Sequence, residues 1–180
     1  MDTQLQLPDL PAAISKGLRS EDDTWDKSKV HVSDLGYALD GERCARELYL
    51  RLRGAPARPL TDGELLMFDR SHSLHARLTE LIAPNLPAGW TVAYVEHALV
   101  VDDAARSLGL VPDPVESGRL DVELHGPNGE RVILDYKTMR GRAFQFLEHR
   151  GPYETHKLQV RTYALARDAD MGALLYADRE

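Results

Sequence analysis

Cysteine is almost missing from this chain. Cys44 is the only one in 180 residues. A lone thiol excludes an internal disulfide framework and cannot by itself hold a zinc or iron–sulfur centre. Long apolar runs are missing too. No stretch approaches the roughly 18 residues that read as a membrane helix. The N-terminus, MDTQLQLPDLPAAISKG, has neither a basic start nor an apolar core, so no secretory signal is expected in it. No repeat or low-complexity tract is present. These absences lead to the expectation of a cytoplasmic protein with no membrane partner.

What remains is an ordinary globular composition, 43% hydrophobic and 28% charged, of a length that suits one domain. The net charge is −7, which taken whole argues against nucleic acid as a partner. The distribution argues otherwise. Between residues 137 and 167, seven basic residues face two acidic ones, a local balance of +5 that leaves −12 for the remainder. Such a segment suits a phosphate backbone, although a solvated helix face would look the same.

Residues 1–29 are polar and unpatterned and read as a partly flexible arm. Residues 30–180 read as a single domain. Ser33 is expected to cap a helix over 34–53, ended by Gly54 and Pro56. Thr61 or Asp62 opens a second helix to about residue 83, with Leu74, Leu78, Leu81 and Ile82 on one face and Pro84 as its stop. The period then changes. Residues 90–101, 118–124 and 131–138 read as strands, the last two joined by the turn sequence HGPNGE into a hairpin. Residues 139–151 read as a basic loop with at most one helical turn. Pro152 opens a helix to about 168, and MGALLYAD reads as a last strand. The order α, α, β, β, β, α, β implies an α/β domain with a hairpin at the centre of its sheet. The chain ends directly on that strand, which leads to the expectation of a domain truncated at its C-terminus.

The stretch VILDYKT, residues 132–138, runs three apolar residues into Asp135 and Lys137. Asp121 lies in the partner strand GRLDVEL, at a spacing that lets two carboxylates face each other across the hairpin. Paired carboxylates repel and call for a cation between them, and hard oxygen donors suit Mg²⁺ or Mn²⁺. Strand periodicity sends Asp135 and Lys137 to one face and Tyr136 to the other. A lysine there can orient an activated water or offset developing negative charge, which is what phosphodiester hydrolysis requires. A lone D-x-K triplet is far more often a surface pair on a strand edge, and the GRLDVEL strand at hairpin spacing is what weakens that reading here.

The constellation GRLDVEL…VILDYKT…HKLQVRTYALA resembles the core of the PD-(D/E)XK nuclease superfamily, in the branch of RecB-type and Cas4-type exonuclease domains. Gly118 to Asp121 matches its first motif, Asp135 and Lys137 its D-x-K motif, and Gln159 with Tyr163 its Q-x-x-x-Y helix. The resemblance implies a restriction-endonuclease-like core with a mixed central sheet flanked by helices. It implies a metal site made by His75, Asp121, Asp135 and the Tyr136 carbonyl. Lys137 would be catalytic, and Gln159 and Tyr163 would contact DNA or that lysine. Without the family pattern, His75 reads as a boundary histidine beside Leu78 and Ile82. Ser71 stands where the family usually has glycine. Glu96 occupies a place where relatives often have a glutamate near the metal, or it is simply a solvent-facing strand residue. CARELYL, with Cys44, Arg46 and Tyr49, is similar to the family's early helix. With one cysteine the iron–sulfur cluster of some relatives is absent.

The expected activity is Mg²⁺- or Mn²⁺-dependent DNA exonuclease action in phage or mobile-element recombination and repair, with a recombinase or helicase as a candidate partner. A catalytically idle nucleic-acid-binding module and a structure-specific endonuclease are the alternatives. Arg140, Arg142, Lys157 and Arg161 are expected to meet phosphates. Phe144 and Phe146 would stack on bases or plug the core.

Overall fold

The computed structural model describes residues 31–34, 44–56, 58–100 and 116–178, together with Lys16 and Arg19. The expected arm therefore lies almost wholly outside the described residues. Arg19, helical like Lys16, donates to the Asp62 carboxylate at 2.6 Å.

The elements are α1 (Ala45–Leu52), α2 (Asp62–Ile82), β1 (Thr91–Val100), β2 (Glu116–His125), β3 (Arg131–Met139), α3 (Gly141–Arg150), α4 (Glu154–Ala166) and β4 (Met171–Asp178). The four strands make one mixed sheet in the order β1-β2-β3-β4. Strands β1, β2 and β3 run antiparallel in turn, and β4 lies parallel to β3. The hairpin turn uses Gly129 at φ 92°, and the N–H of Gly126 donates to the Glu130 carbonyl at 2.8 Å. A parallel neighbour needs a long crossover, and α3 and α4 supply it between β3 and β4.

Both faces of the sheet are covered. On one, Leu99, Leu120 and Ile133 pack with Val160, Tyr163 and Ala164 of α4, and Val32 joins them. On the other, Val122, Leu124, Val132 and Tyr136 pack with Leu78 and Ile82 of α2. This explains the unbroken run of Val132, Ile133 and Leu134. A central strand buried on both sides needs apolar residues in succession rather than in alternation. The chain is thus an α/β domain with helices on a mixed sheet whose centre is the hairpin.

Helix α2 opens on a reciprocal cap. Thr61 Oγ1 accepts from the Glu64 N–H, and the Glu64 carboxylate accepts from the Thr61 N–H at 2.8 Å. Such a pair satisfies two N–H groups that a helix start leaves open.

Two expectations need correction. The helix expected over 34–53 is not continuous, because Cys44 is extended (φ −69°, ψ 121°) and starts α1 as its cap; residues 35–43 lie outside the described residues. The basic stretch after β3 is not a loop with one turn but the ten-residue helix α3. Its half-buried side is Ala143, Phe144 and Leu147, and it packs toward β4.

Candidate metal centre

The site grows from an irregularity shared by the three strands at the centre and one edge of the sheet. Residues i and i+2 of a regular strand share a face. In β2, however, Leu120 packs toward α4 while Val122 packs toward α2. The strand changes face through Asp121. Opposite it in the register, between the pairs Val95–Val122 and His97–Leu120, lies Glu96, whose backbone is left-handed at φ 49°. The β2–β3 pairing ends at Val122–Leu134. Just beyond, Asp121 Oδ2 accepts the N–H of Tyr136 at 2.5 Å. A side chain replaces the next rung of the ladder, and the carboxylate is held in the gap between strands.

His75 reaches the same place from α2. Its Nδ1 is 3.5 Å from Asp121 Oδ1. Its ring meets Tyr136 edge-on at 5.4 Å, and the Tyr136 hydroxyl hydrogen-bonds Thr79 one turn further along α2. Ligand atoms of His75, Glu96 and Asp121 all lie within 4.8 Å of one another, which suits a single ion. Partial burial, and then the charge of Asp121, raises the Glu96 carboxyl above its usual range. A cation would relieve that repulsion. Ser71, the departure from the family glycine, has its hydroxyl 3.0 Å from that of Thr138 and so ties α2 to the end of β3.

Asp135 is not a member of that group of three. Its carboxylate turns toward α4 and meets Lys137 Nζ at 2.6 Å as an ion pair, while Oδ2 makes no aligned hydrogen bond. The carboxyl is 2% exposed. Burial pushes its pKa up to about 6; Lys137 acts in the opposite direction, and Asp121 adds to the rise. Lys137 Nζ donates to Gln159 Oε1 at 2.9 Å, and Gln159 Nε2 donates to the Tyr163 hydroxyl at 3.1 Å. Tyr163 is buried, and burial foremost keeps its hydroxyl protonated. The chain of contacts ends at Gly118, at φ 128°, where a Cβ would stand 2.6 Å from the Tyr163 oxygen. The three sequence motifs therefore meet physically. The glycine makes room for the tyrosine, the tyrosine holds the glutamine, and the glutamine holds the lysine against Asp135.

Sequence reasoning missed His156. It lies three residues before Gln159 on α4, a spacing that puts both on one helix face. Its Nδ1 is 2.9 Å from the Tyr176 hydroxyl, and Tyr176 is in register with Lys137 across the β3–β4 pair. Burial, with the charge of Lys137 second, lowers the His156 pKa to about 4.

The expected phosphate contacts are dispersed. Arg140 is exposed at the junction of β3 and α3, and Arg161 is exposed on α4. Lys157 is paired with Glu154 at 2.6 Å. The Arg142 side chain lies outside the described residues. In α1, Arg46 and Tyr49 are exposed, and Arg51 forms an ion pair with the buried Asp34. Away from the site, the fully buried Glu123 accepts from Arg167 at 2.7 Å and lies 2.8 Å from His125. Burial would raise its pKa, and these two partners more than offset that.

No protein-family model matches the chain, and no curated protein matches it. Among solved structures, the crystal structure of SSO0001 is similar over 94% of this chain and 73% of that one, at 18% identity and a TM-score of 0.49. A likeness that weak supports nothing about activity. Among the described residues no helix is long and apolar enough to cross a membrane.

Proposed function

We propose that this chain is a Mg²⁺- or Mn²⁺-dependent deoxyribonuclease of the PD-(D/E)XK type that hydrolyses phosphodiester bonds at DNA ends. The observation that carries the reading is the adjacency of two clusters: the donors of His75, Glu96 and Asp121 on one side, and the Asp135–Lys137–Gln159 relay on the other. The backbone N–H of Tyr136, lying in sequence between Asp135 and Lys137, joins them by binding Asp121.

Two carboxylates and an imidazole fit a hard divalent cation, with Mn²⁺ tolerating the nitrogen well. His75, Glu96 and Asp121 would hold it, with Asp135 and the Tyr136 carbonyl as the further oxygens the family resemblance implies. When bound, such an ion polarises a phosphoryl oxygen and makes a coordinated water more acidic. The chain's own residues supply the rest. Asp121 is fixed in orientation by the Tyr136 N–H. Lys137 is aimed by Asp135 and Gln159, so its ammonium can face negative charge developing on the phosphate without first reorganising. Tyr163 and Gly118 keep Gln159 in place. In-line attack of water at phosphorus would release a nucleotide or short fragment. Within the basic stretch over 137–167, the exposed Arg140 and Arg161 are available to a phosphate backbone, while Lys157 is paired with Glu154 and Arg167 with Glu123. A cytoplasmic role in DNA recombination or repair, beside a recombinase or helicase, goes with this reading.

The test compares end-labelled linear DNA with closed circular DNA in Mn²⁺, Mg²⁺ or EDTA. Lys137→Ala is a poor control, since leaving a buried Asp135 without its cation costs about 3–5 kcal/mol. Lys137→Gln removes the cation as well but keeps a hydrogen-bond donor for Asp135, and thermal unfolding shows that the variant is folded. Metal-dependent loss of linear DNA only, reduced at least ~10²-fold in the variant, is expected for an exonuclease. Cutting of the circle would make it an endonuclease. Binding without cutting in any metal would overturn the catalytic reading in favour of a binding module.

A further inference from the structure

Helix α3 places an aromatic ring where a core does not need it. Its half-buried side is Ala143, Phe144 and Leu147, whereas Phe146 is 57% exposed beside exposed Gln145, His149 and Arg150. Isolated surface phenylalanines are common and carry no message. This one differs in its surroundings. The Arg150 guanidinium lies over the Phe146 ring, 5.7 Å from its centre. Arg142 precedes Phe146 by four residues and Arg150 follows by four, and Glu148 is the helix's single acid. Arg140, exposed, caps the helix.

The helix also starts next to the relay. Arg140 stands three strand residues beyond Lys137, and Phe146 lies six helical residues further on. At ~3.3 Å per strand residue and ~1.5 Å per helical residue the path is at most about 20 Å. One nucleic-acid strand can touch both ends of it.

We infer that the Phe146–Arg150 pair is a stacking platform for an unpaired base, and that the occupant of this surface is single-stranded DNA. A base inside a duplex has both faces covered by its neighbours, so only an unpaired one offers its π-face to a side chain. Arg150 over the ring, with exposed Arg140 at the start of the helix, can hold the backbone on which such a base is carried. The inference rests on the nuclease reading for the course of the strand past Lys137. Phe146 touches the strand away from the reacting phosphate and so selects the substrate without acting on it.

The experiment measures fluorescence anisotropy of a short labelled deoxyoligonucleotide and of a blunt hairpin duplex, in EDTA so that nothing is cut. Phe146→Ala is expected to weaken single-strand binding roughly tenfold and duplex binding less than about twofold. Phe146→Trp is expected to keep the affinity, and single-stranded DNA should quench the added indole beyond the two native tryptophans. Exposure of the side chain makes both variants compatible with folding. Equal losses for the two substrates, no loss, or an unquenched indole would overturn the platform, as would a parent chain that binds no nucleic acid. Tighter binding of RNA of the same sequence would overturn the choice of DNA. Parallel incubation with Mn²⁺ separates the two ideas. Phe146-dependent binding without cleavage sinks the nuclease reading and keeps the platform, whereas cleavage with no Phe146 effect does the reverse.

Discussion

Tyr163 reaches Gln159 because position 118 has no side chain. Gly118→Ala would put a methyl group 2.6 Å from the tyrosine oxygen, on a backbone at φ 128° that side chains rarely adopt. The expected cost is ~1–3 kcal/mol by urea unfolding. Displacing the glutamine that aims Lys137 is expected to lower cleavage by about 10²-fold, the scale of a 1 Å misplacement. Adding Tyr163→Phe to Gly118→Ala removes the oxygen that clashes, so part of the stability should return while cleavage does not. If the double variant recovers no stability, the contact at Gly118 is not what holds the tyrosine. At this scale the sequence was most readable where spacing has physical meaning. Asp135 and Lys137 could be put together because residues i and i+2 of a strand share a face, whereas Asp121 stands where β2 breaks that period. Glu96 could be placed near the metal only through the family resemblance, because strict alternation reads it as solvent-facing and nothing local announces a left-handed residue inside a strand.

At the scale of elements, α4 ties the relay to the sheet along one face bearing His156, Gln159 and Tyr163. The histidine sits half-buried between Tyr176 and the Lys137 charge, and burial first, then that charge, lowers its pKa from 6.5 to about 4. Between those values the unfolded chain holds a proton that the folded one does not. Folding is therefore disfavoured as protons are added. The contribution of His156 is fully present above pH ~6.5 and is lost progressively as pH falls to about 4. His156→Gln, which cannot titrate but keeps polar contact, is expected to flatten the pH dependence of the unfolding midpoint across that window. Parallel profiles for the two proteins would contradict the assignment. Element boundaries were legible where a cap or turn spells them out, as with Thr61 and Glu64 or the GPNG turn. From sequence alone helix α3 reads as a loop, because Gly141 and its arginines hide a narrow apolar side of Ala143, Phe144 and Leu147. That side becomes helical through packing toward β4, which no local propensity reports.

Across the whole molecule, the two packed faces of the sheet and the site are one design. Strand β3 is buried on both sides, so its charged end emerges where its neighbours part. Asp121 and Glu96 occupy that break, α2 brings His75 from one face, and α4 brings Gln159 and Tyr163 from the other. Five stretches of sequence, in α2, β1, β2, β3 and α4, thus converge on one point, and distance in sequence says nothing of it without the fold. The central claim is that this point holds a divalent cation. Titration calorimetry with Mn²⁺ on the metal-free full chain tests it most directly, comparing the parent with Asp121→Asn and Glu96→Gln. The expected result is binding by the parent that Asp121→Asn weakens at least ~10-fold, with Glu96→Gln also weaker, since each removes one charged oxygen donor. A parent that binds no Mn²⁺, or binding that both variants leave unchanged, would contradict the account.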